Sequence, residues 1–182
     1  MSYHMEYGFS CMGYEIAGAM GIKMAEPERD VLCFTGDGTY MMANSEMATA
    51  AMMGISFTVV VTDNRGFGCI NRLQMGTGGA EFNNLLDHAV GGTNSAIDFA
   101  AHAASMGATS VKVSSIAELE QALAKRDSIT GPYVVVIDTD PYPSTEHGGT
   151  WWEVAVPEVS TRPTVNEKRK AYEAAIKERL TK

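Results

Sequence analysis

Short apolar runs alternate along the chain with Ala- and Met-rich stretches of helical length. The apolar runs are continuous and rich in β-branched residues, which is typical of parallel strands buried on both faces. They are VLCFT at 31–35, FTVVVT at 57–62, YVVVID at 133–138 and a shorter run, SVKV, at 110–113. The pattern predicts helices over 12–25, 45–53, 69–74, 97–106, 116–125 and about 165–180.

Strands that alternate with helices in this way predict the α/β class, with a parallel β-sheet flanked by helices on both faces. No internal repeat or linker divides the chain, so residues 1–182 are predicted to form a single domain. Its end, at about 139–182, is predicted to be a loop-rich tail followed by a terminal helix, and the Gly- and Asn-rich stretch 75–95 to be a long loop. In such sheets, ligands bind beyond the carboxyl ends of the strands.

Composition narrows the classes of function. Apolar residues make up 45% of the 182 residues and charged residues 20%, as in ordinary globular domains. The net charge of −8 argues against a nucleic-acid-binding surface, because phosphate backbones require clustered basic residues. No apolar run approaches the roughly 20 residues that span a bilayer, and no signal peptide is recognisable, so a cytoplasmic location is expected. The three cysteines match neither a disulfide framework nor a zinc site, and reduced thiols are predicted.

Two polar segments directly follow the first two buried strands, Gly36-Asp37-Gly38-Thr39 and Asp63-Asn64-Arg65-Gly66. Glycines let the backbone approach a ligand closely, and N–H groups at a helix start suit diphosphate oxygens. Taken alone, Gly-Asp-Gly after a strand is more commonly a tight turn with a capping Asp. Asn64 follows Asp37 by 27 positions, at the end of the next strand, and adds a second hard oxygen ligand for Mg²⁺. The Gly66 carbonyl is a candidate third ligand.

This spacing resembles the motif of the thiamin-diphosphate-dependent enzymes, in which Gly-Asp-Gly is followed some two dozen residues later by Asn. Residues 44–50 (NSEMATA) resemble the helix within that motif, whereas Arg65 stands where the family commonly has a second Asn. The resemblance implies thiamin diphosphate and Mg²⁺ as cofactors, and Asp37, Asn64 and Gly66 as the metal ligands. The implied cofactor-binding residues are Ser10, Met12, Gly36, Asp37, Gly38, Thr39, Asn64, Gly66, Phe67 and Gly68.

Residues 10–19 resemble the segment that cradles the aminopyrimidine ring, and Met12 aligns with the apolar residue that supports the cofactor's bent shape. Without the resemblance, Met12 would be interpreted as a core residue of an Ala-rich helix. In the family, a glutamate of a separate pyrimidine domain activates the cofactor, and no residue of this chain aligns with it. We therefore expect a C-terminal diphosphate-binding domain that lacks its pyrimidine domain, meets one in the same or another subunit of a homodimer or homotetramer, and is inactive alone.

Within the family, residues 4–17 and 148–154 most resemble the trihydroxycyclohexane-1,2-dione hydrolases of inositol catabolism. That resemblance implies hydrolytic C–C cleavage of a cyclic dione to 5-deoxy-glucuronate, with the cofactor as electron sink. Cys69, His147 and Trp151 are candidate substrate contacts, although packing or an ordinary loop role would also explain them. Three alternatives stay open: an acetolactate synthase-like carboligase or decarboxylase, one subunit of a split enzyme, and a non-catalytic nucleotide- or metal-binding module.

Overall fold

The structure, a computed structural model, describes residues 2–5, 11–91, 96–143 and 154–180. The chain separates into two compact units. The first unit consists of Met1–Arg65 and Ser95–Thr139, and the second of Gly66–Asn94 and Asp140–Lys182. Among the described residues, no helix combines the length and apolarity needed to cross a membrane. Cys33 is buried, whereas Cys11 and Cys69 are exposed, and none of the three forms a disulfide in the described part of the chain.

The first unit contains a four-stranded parallel sheet with the strand order β1-β2-β4-β3. Its strands are β1 (Leu32–Gly36), β2 (Thr58–Asp63), β3 (Thr109–Val113) and β4 (Tyr133–Asp138). Each predicted run therefore forms a strand, displaced by one residue at most from the boundaries expected from the sequence. The α/β class with a parallel sheet is confirmed.

Seven α-helices accompany the strands in the described part of the chain. The first unit contains α1 (Tyr14–Ala25), α2 (Asp37–Met42), α3 (Ser45–Met53), α5 (Phe99–Ser105) and α6 (Ile116–Ala124). The second unit contains α4 (Gly68–Gly76) and α7 (Pro163–Leu180). Two short 3₁₀ turns, Leu86–His88 and Arg126–Ser128, complete the described elements.

The two central strands are buried on both faces of the sheet. Val59 and Val61 of β2 point into one apolar cluster, and Val60 between them points into another. The first cluster includes residues of α1, α3 and α5, and the second includes residues of α6. Because side chains alternate along a strand, a continuous run of valines fills both layers. Helices therefore cover both faces, as predicted.

Helix α2 is not among the helices predicted from the pattern, although a turn and a helix start were expected at Gly36-Asp37-Gly38-Thr39. Gly36 precedes the helix as its cap, and Asp37 occupies the first turn, where a negative charge is favoured by the helix dipole. Glycine has low helix propensity, so Gly38 inside a six-residue helix hides the element from pattern analysis. By contrast, Gly54 ends α3 in the left-handed conformation (φ 67°), as predicted.

In the second unit, the start of α7 contacts the turn that follows α4. The Thr164 hydroxyl donates a hydrogen bond of 2.7 Å to the Gly78 carbonyl. Gly78 has φ +87°, and a Cβ atom there would stand 2.5 Å from the Thr164 carbonyl oxygen. Arg169 of α7 donates to the Val156 carbonyl at 2.7 Å, which fixes the described part of the tail to the helix.

Met47 provides a direct test of the core on α3. Its side chain is 0% exposed within the first apolar cluster, whereas Met52 on the same helix is 81% exposed. We expect Met47→Ala to lower the free energy of unfolding by about 2–5 kcal/mol, because it removes buried contacts and leaves a cavity. Met52→Ala is the matched control and should change it by less than about 0.5 kcal/mol in urea denaturation. Equal losses in the two variants would contradict this packing.

Candidate functional site

The carboxyl ends of β1 and β2 lie side by side, with Gly36 opposite Thr62 in the parallel register. The Thr62 hydroxyl donates to the Thr35 carbonyl at 3.2 Å. One residue beyond each strand, the Asn64 backbone N–H donates to Asp37 Oδ1 at 3.3 Å. The structure therefore brings together Asp37 and Asn64, which are 27 positions apart in the chain.

Asp37 is an acidic residue in an unusually enclosed position. It is 3% exposed and forms the first residue of α2. A carboxylate is costly to bury unless hydrogen bonds or a cation compensate the charge. The Asn64 N–H and the positive end of α2 supply part of that compensation. A carboxylate is also a hard oxygen ligand, so Asp37 is a candidate ligand for a bound cation.

The turn after β2 is held by its own aspartate. Asp63 Oδ1 accepts the Arg65 N–H at 2.9 Å, and the Asp63 carbonyl accepts the Thr139 N–H at 2.8 Å. Arg65 is in the left-handed region with φ 61°, which costs an ordinary L-residue roughly 1–2 kcal/mol. Asn tolerates this conformation better than Arg, so Arg65 carries local backbone strain in this turn.

Gly66, Phe67 and Gly68 belong to the second unit. Gly66 forms an isolated β-bridge with Leu85, and the Phe67 N–H donates to the Asn84 carbonyl at 2.7 Å. Phe67 is 37% exposed, and α4 begins at Gly68. These contacts fix the segment that follows the Asn64 turn.

Gly36 shows whether the site has room for a phosphate group. Its φ of −81° is accessible to any residue, so the backbone conformation does not require glycine. A Cβ atom built there meets nothing within 4 Å, so the missing side chain leaves open space beside the strand end. A ligand needs such a space to approach the backbone N–H groups closely. The residues therefore fit a bound diphosphate.

The donor set is also consistent with a diphosphate-bound metal ion. Asp37 carries a carboxylate and Asn64 an amide, and both oxygens are hard ligands of the type that Mg²⁺ prefers. Within the described part of the chain, no three His, Cys, Asp or Glu side chains group closely enough to hold a metal ion. A metal at Asp37 would therefore take its remaining ligands from phosphate oxygens, backbone carbonyls and water.

A lysine adds to the charge pattern at the same edge of the sheet. Lys112 Nζ of β3 lies 2.8 Å from Asp138 Oδ1 at the end of β4. The hydrogen bond to Asp138 is the main cause that raises the pKa of Lys112, and the charges of Asp63 and Asp98 act in the same direction. Lys112 is therefore a stable cation whose nearest partner is already a carboxylate.

The other predicted site residues are distributed as follows. Met12 directly precedes Gly13, whose φ is +94° and whose Cβ position would be 3.1 Å from Ala43 Cβ at the end of α2. Because Met12 is 39% exposed, it is not a core residue of α1. Gly38 and Thr39 lie in the first turn of α2, and Cys69 is exposed on α4. Ser10, His147 and Trp151 lie outside the described residues.

Sequence reasoning missed Tyr40, which lies one helical turn after Asp37. The ring is 0% exposed, and its hydroxyl is 3.2 Å from His102 Nδ1 on α5. Burial raises the pKa of Tyr40 to about 12, so the hydroxyl stays neutral at physiological pH. Its placement three residues after a candidate metal ligand was the available signal, but its partner is 62 positions away.

Comparison with known proteins identifies the chain. A family profile described as "Thiamine pyrophosphate enzyme, C-terminal TPP binding domain" matches residues 1–137. The chain belongs to this family. TPP is thiamin diphosphate, so the TPP-binding domain belongs to the cofactor class that the Gly-Asp-Gly and Asn64 motif predicted. Its fold is also the predicted one.

Relatives of the TPP-binding domain carry a specific name. It is 43% identical over 185 residues to "3D-(3,5/4)-trihydroxycyclohexane-1,2-dione hydrolase 2" of Bacillus cereus. It is equally similar to "3D-(3,5/4)-trihydroxycyclohexane-1,2-dione hydrolase" of Bacillus thuringiensis (strain Al Hakam). Each alignment covers 96% of this chain, which spans only 28% of the length of each relative.

A solved structure supports the fold independently. The thiamine diphosphate-dependent 4-hydroxybenzoylformate decarboxylase of Rhodococcus jostii RHA1 matches with a TM-score of 0.63. The match covers 71% of this chain and 23% of the decarboxylase, at 21% sequence identity. At that level of identity the likeness concerns the fold alone.

Gly66 is a candidate site residue whose local structure requires glycine. Its φ is +141°, and a Cβ atom would stand 2.5 Å from the Asn84 carbonyl oxygen and 3.0 Å from Leu85 Cα. We expect Gly66→Ala to lower the free energy of unfolding by about 1–3 kcal/mol, because the backbone of Asn84 and Leu85 must move to admit the Cβ atom. Urea denaturation measures this change. Gly21→Ala is the control, since its Cβ would meet nothing within 4 Å inside α1. It should raise stability by roughly 0.5–1 kcal/mol, and a neutral Gly66→Ala would contradict the close approach.

Proposed function

We propose that this chain is the C-terminal cofactor-binding domain of a thiamin-diphosphate- and Mg²⁺-dependent hydrolase that cleaves a C–C bond of trihydroxycyclohexane-1,2-dione. The observation that carries the binding part is the contact between the Asn64 N–H and Asp37 Oδ1 at two adjacent strand ends. The substrate part is supported by the names of relatives 43% identical over nearly the whole chain.

In this proposal, Asp37, Asn64 and the Gly66 carbonyl hold Mg²⁺, which neutralises the diphosphate without a lysine. The backbone N–H groups of Gly38 and Thr39 face the phosphate oxygens at the start of α2, where the helix dipole favours negative charge. Gly36 leaves the room that this approach needs. Phe67 and Gly68 are proposed as further cofactor contacts.

Two further residues, Ser10 and Met12, are proposed to hold the aminopyrimidine ring. When bound, thiamin diphosphate supplies a carbanion equivalent and an electron sink for C–C cleavage. The chain's own residues orient the cofactor and exclude water from its diphosphate. Cys69, His147 and Trp151 are the proposed substrate contacts.

The proposed whole enzyme contains more than this chain. Because the chain spans 28% of the length of its relatives, we propose that a pyrimidine domain of the same or another subunit supplies the activating glutamate. The whole protein is proposed to be a cytoplasmic homodimer or homotetramer that produces 5-deoxy-glucuronate. The predicted single-domain organisation of 1–182 stays a proposal, with the tail at about 139–182 completing the diphosphate-binding domain.

Replacement of Asp37 tests the metal and diphosphate site. With thiamin diphosphate and Mg²⁺ near 100 times their dissociation constants, wild-type protein should gain about 2–3 kcal/mol of stability in thermal unfolding. Asp37→Asn keeps the shape of the side chain and should lose that gain, because an amide is a much weaker metal ligand than a carboxylate.

Asp127→Asn is the matched control for this experiment. Asp127 is an exposed carboxylate, 82% exposed in its side chain, at the opposite edge of the sheet. This variant should keep the full gain of the wild type. No gain in the wild type, or an equal gain in Asp37→Asn, would refute the proposed site.

Turnover measurements test the substrate and the need for a second domain. The purified chain with thiamin diphosphate and Mg²⁺ should release no 5-deoxy-glucuronate from trihydroxycyclohexane-1,2-dione, because it contains no candidate for the activating glutamate. The same chain fused to, or mixed with, the preceding domains of the Bacillus cereus relative should release it. Turnover by the chain alone would refute the two-domain requirement. Conversion of 2-oxo acids in place of the dione would favour a carboligase or decarboxylase.

A further inference from the structure

Helix α2 contains only six residues and cannot hold its own position. Nucleation of a helix is costly, and isolated helices this short are unstable in water. Asp37 and Tyr40 share the buried face of the helix, one turn apart, with exposures of 3% and 0%. The orientation of the Asp37 carboxylate therefore depends on what holds the opposite end of that face.

Tyr40 is held by two aromatic residues of α5. Its hydroxyl is 3.2 Å from His102 Nδ1. Its ring meets Phe99 edge-on, with centroids 5.6 Å apart and an interplanar angle of 90°. The His102 ring lies 5.7 Å away at 75°. Together, the hydrogen bond to His102 and the two ring contacts fix how closely the Tyr40 ring approaches α5 and how the ring is rotated.

Helix α5 is in turn fixed to the sheet. Asp98 caps its start by accepting the Ala101 N–H at 2.9 Å. The Ser110 hydroxyl of β3 donates to the Ala100 carbonyl at 2.7 Å, and α5 packs against β3 and β4. Tyr40 is therefore anchored to a helix whose position is set by the sheet itself.

We propose that the Tyr40–His102 hydrogen bond is a positioning contact that sets the Asp37 carboxylate for the cofactor's metal ion. This inference rests on the proposed function, because it assigns Asp37 to that ion. His102 Nδ1 accepts the hydrogen bond from the Tyr40 hydroxyl when the ring proton is on Nε2, and donates to the Tyr40 oxygen when the proton is on Nδ1. The contact can therefore form with either tautomer of the histidine.

The first measurement needs no metal. The Asn64 N–H donates to Asp37 Oδ1, so its amide resonance and its hydrogen-exchange rate report where the carboxylate lies. Tyr40→Phe and His102→Leu remove the contact and should shift the Asn64 resonance and speed its exchange severalfold. His102→Asn places an amide near the position of Nδ1 and should restore the wild-type values.

The second measurement uses Mn²⁺ with thiamin diphosphate, followed by electron paramagnetic resonance. Loss of one positioning hydrogen bond should weaken Mn²⁺ binding about five- to tenfold in Tyr40→Phe and His102→Leu. His102→Asn should bind within about twofold of wild type. Tyr133→Phe is the matched control, because it also removes one hydroxyl hydrogen bond of a buried tyrosine, to the Ala122 carbonyl, in the other apolar cluster. It should leave the Asn64 amide and Mn²⁺ binding unchanged.

The outcomes separate this inference from the proposed function. An unchanged Asn64 amide and unchanged Mn²⁺ affinity in both Tyr40→Phe and His102→Leu would overturn the inference alone. An effect of Tyr133→Phe as large as that of Tyr40→Phe would also overturn it, because loss of a buried hydroxyl would then act only through general stability. A wild-type protein that binds no Mn²⁺ with thiamin diphosphate would overturn both. If His102→Leu fails to fold, Tyr40→Phe carries the test, since it removes a single oxygen.

Discussion

The site depends on one constraint, the parallel pairing of β1 with β2. This pairing sets Gly36 opposite Thr62, so the residues that follow each strand emerge at the same height of the same edge. Asp37 and Asn64 meet there without any local sequence relation between them. An antiparallel pairing would place the two segments at opposite edges, and a slip of one residue would turn their side chains to opposite faces. The burial of Val59, Val60 and Val61 on both faces places β2 in the interior of the sheet.

Much of the fold could be predicted from the sequence, because its central strands are buried on both faces. Runs such as residues 57–62 and 133–138 are buried on both faces, so continuous apolar character identifies them as central strands. Helix α2 could not be predicted in this way. Its six residues include Gly38, and it forms because Tyr40 packs against α5, which lies far away in the chain. Tertiary contacts override helix propensity there.

The residues of the candidate site also differ in whether the sequence could predict them. The proximity of Asp37 and Asn64 could be predicted, because each directly follows a buried parallel strand and their spacing resembles the family's motif. The contact between Tyr40 and His102 could not, since 62 positions separate them and neither residue belongs to a local motif. His102 lies in an Ala-rich helix whose pattern explains its burial equally well. The candidate ligand-binding residues therefore belong to a sequence motif, whereas the contact proposed to orient Asp37 is visible only in the structure.

Charge explains why orientation matters at this edge. Asp37 and Asp63 are 3% and 9% exposed, and Lys112 Nζ lies 2.8 Å from Asp138 Oδ1 at the same edge. The chain as a whole carries a net charge of −8. Buried carboxylates without a cation raise the free energy of the folded state, so a bound divalent ion would stabilise the fold as well as the cofactor. That gain is available only if the Asp37 carboxylate faces the ion, because a misdirected buried carboxylate keeps its desolvation cost without the metal contact. The contacts that hold α2 therefore determine whether a bound ion can offset the cost of burying Asp37.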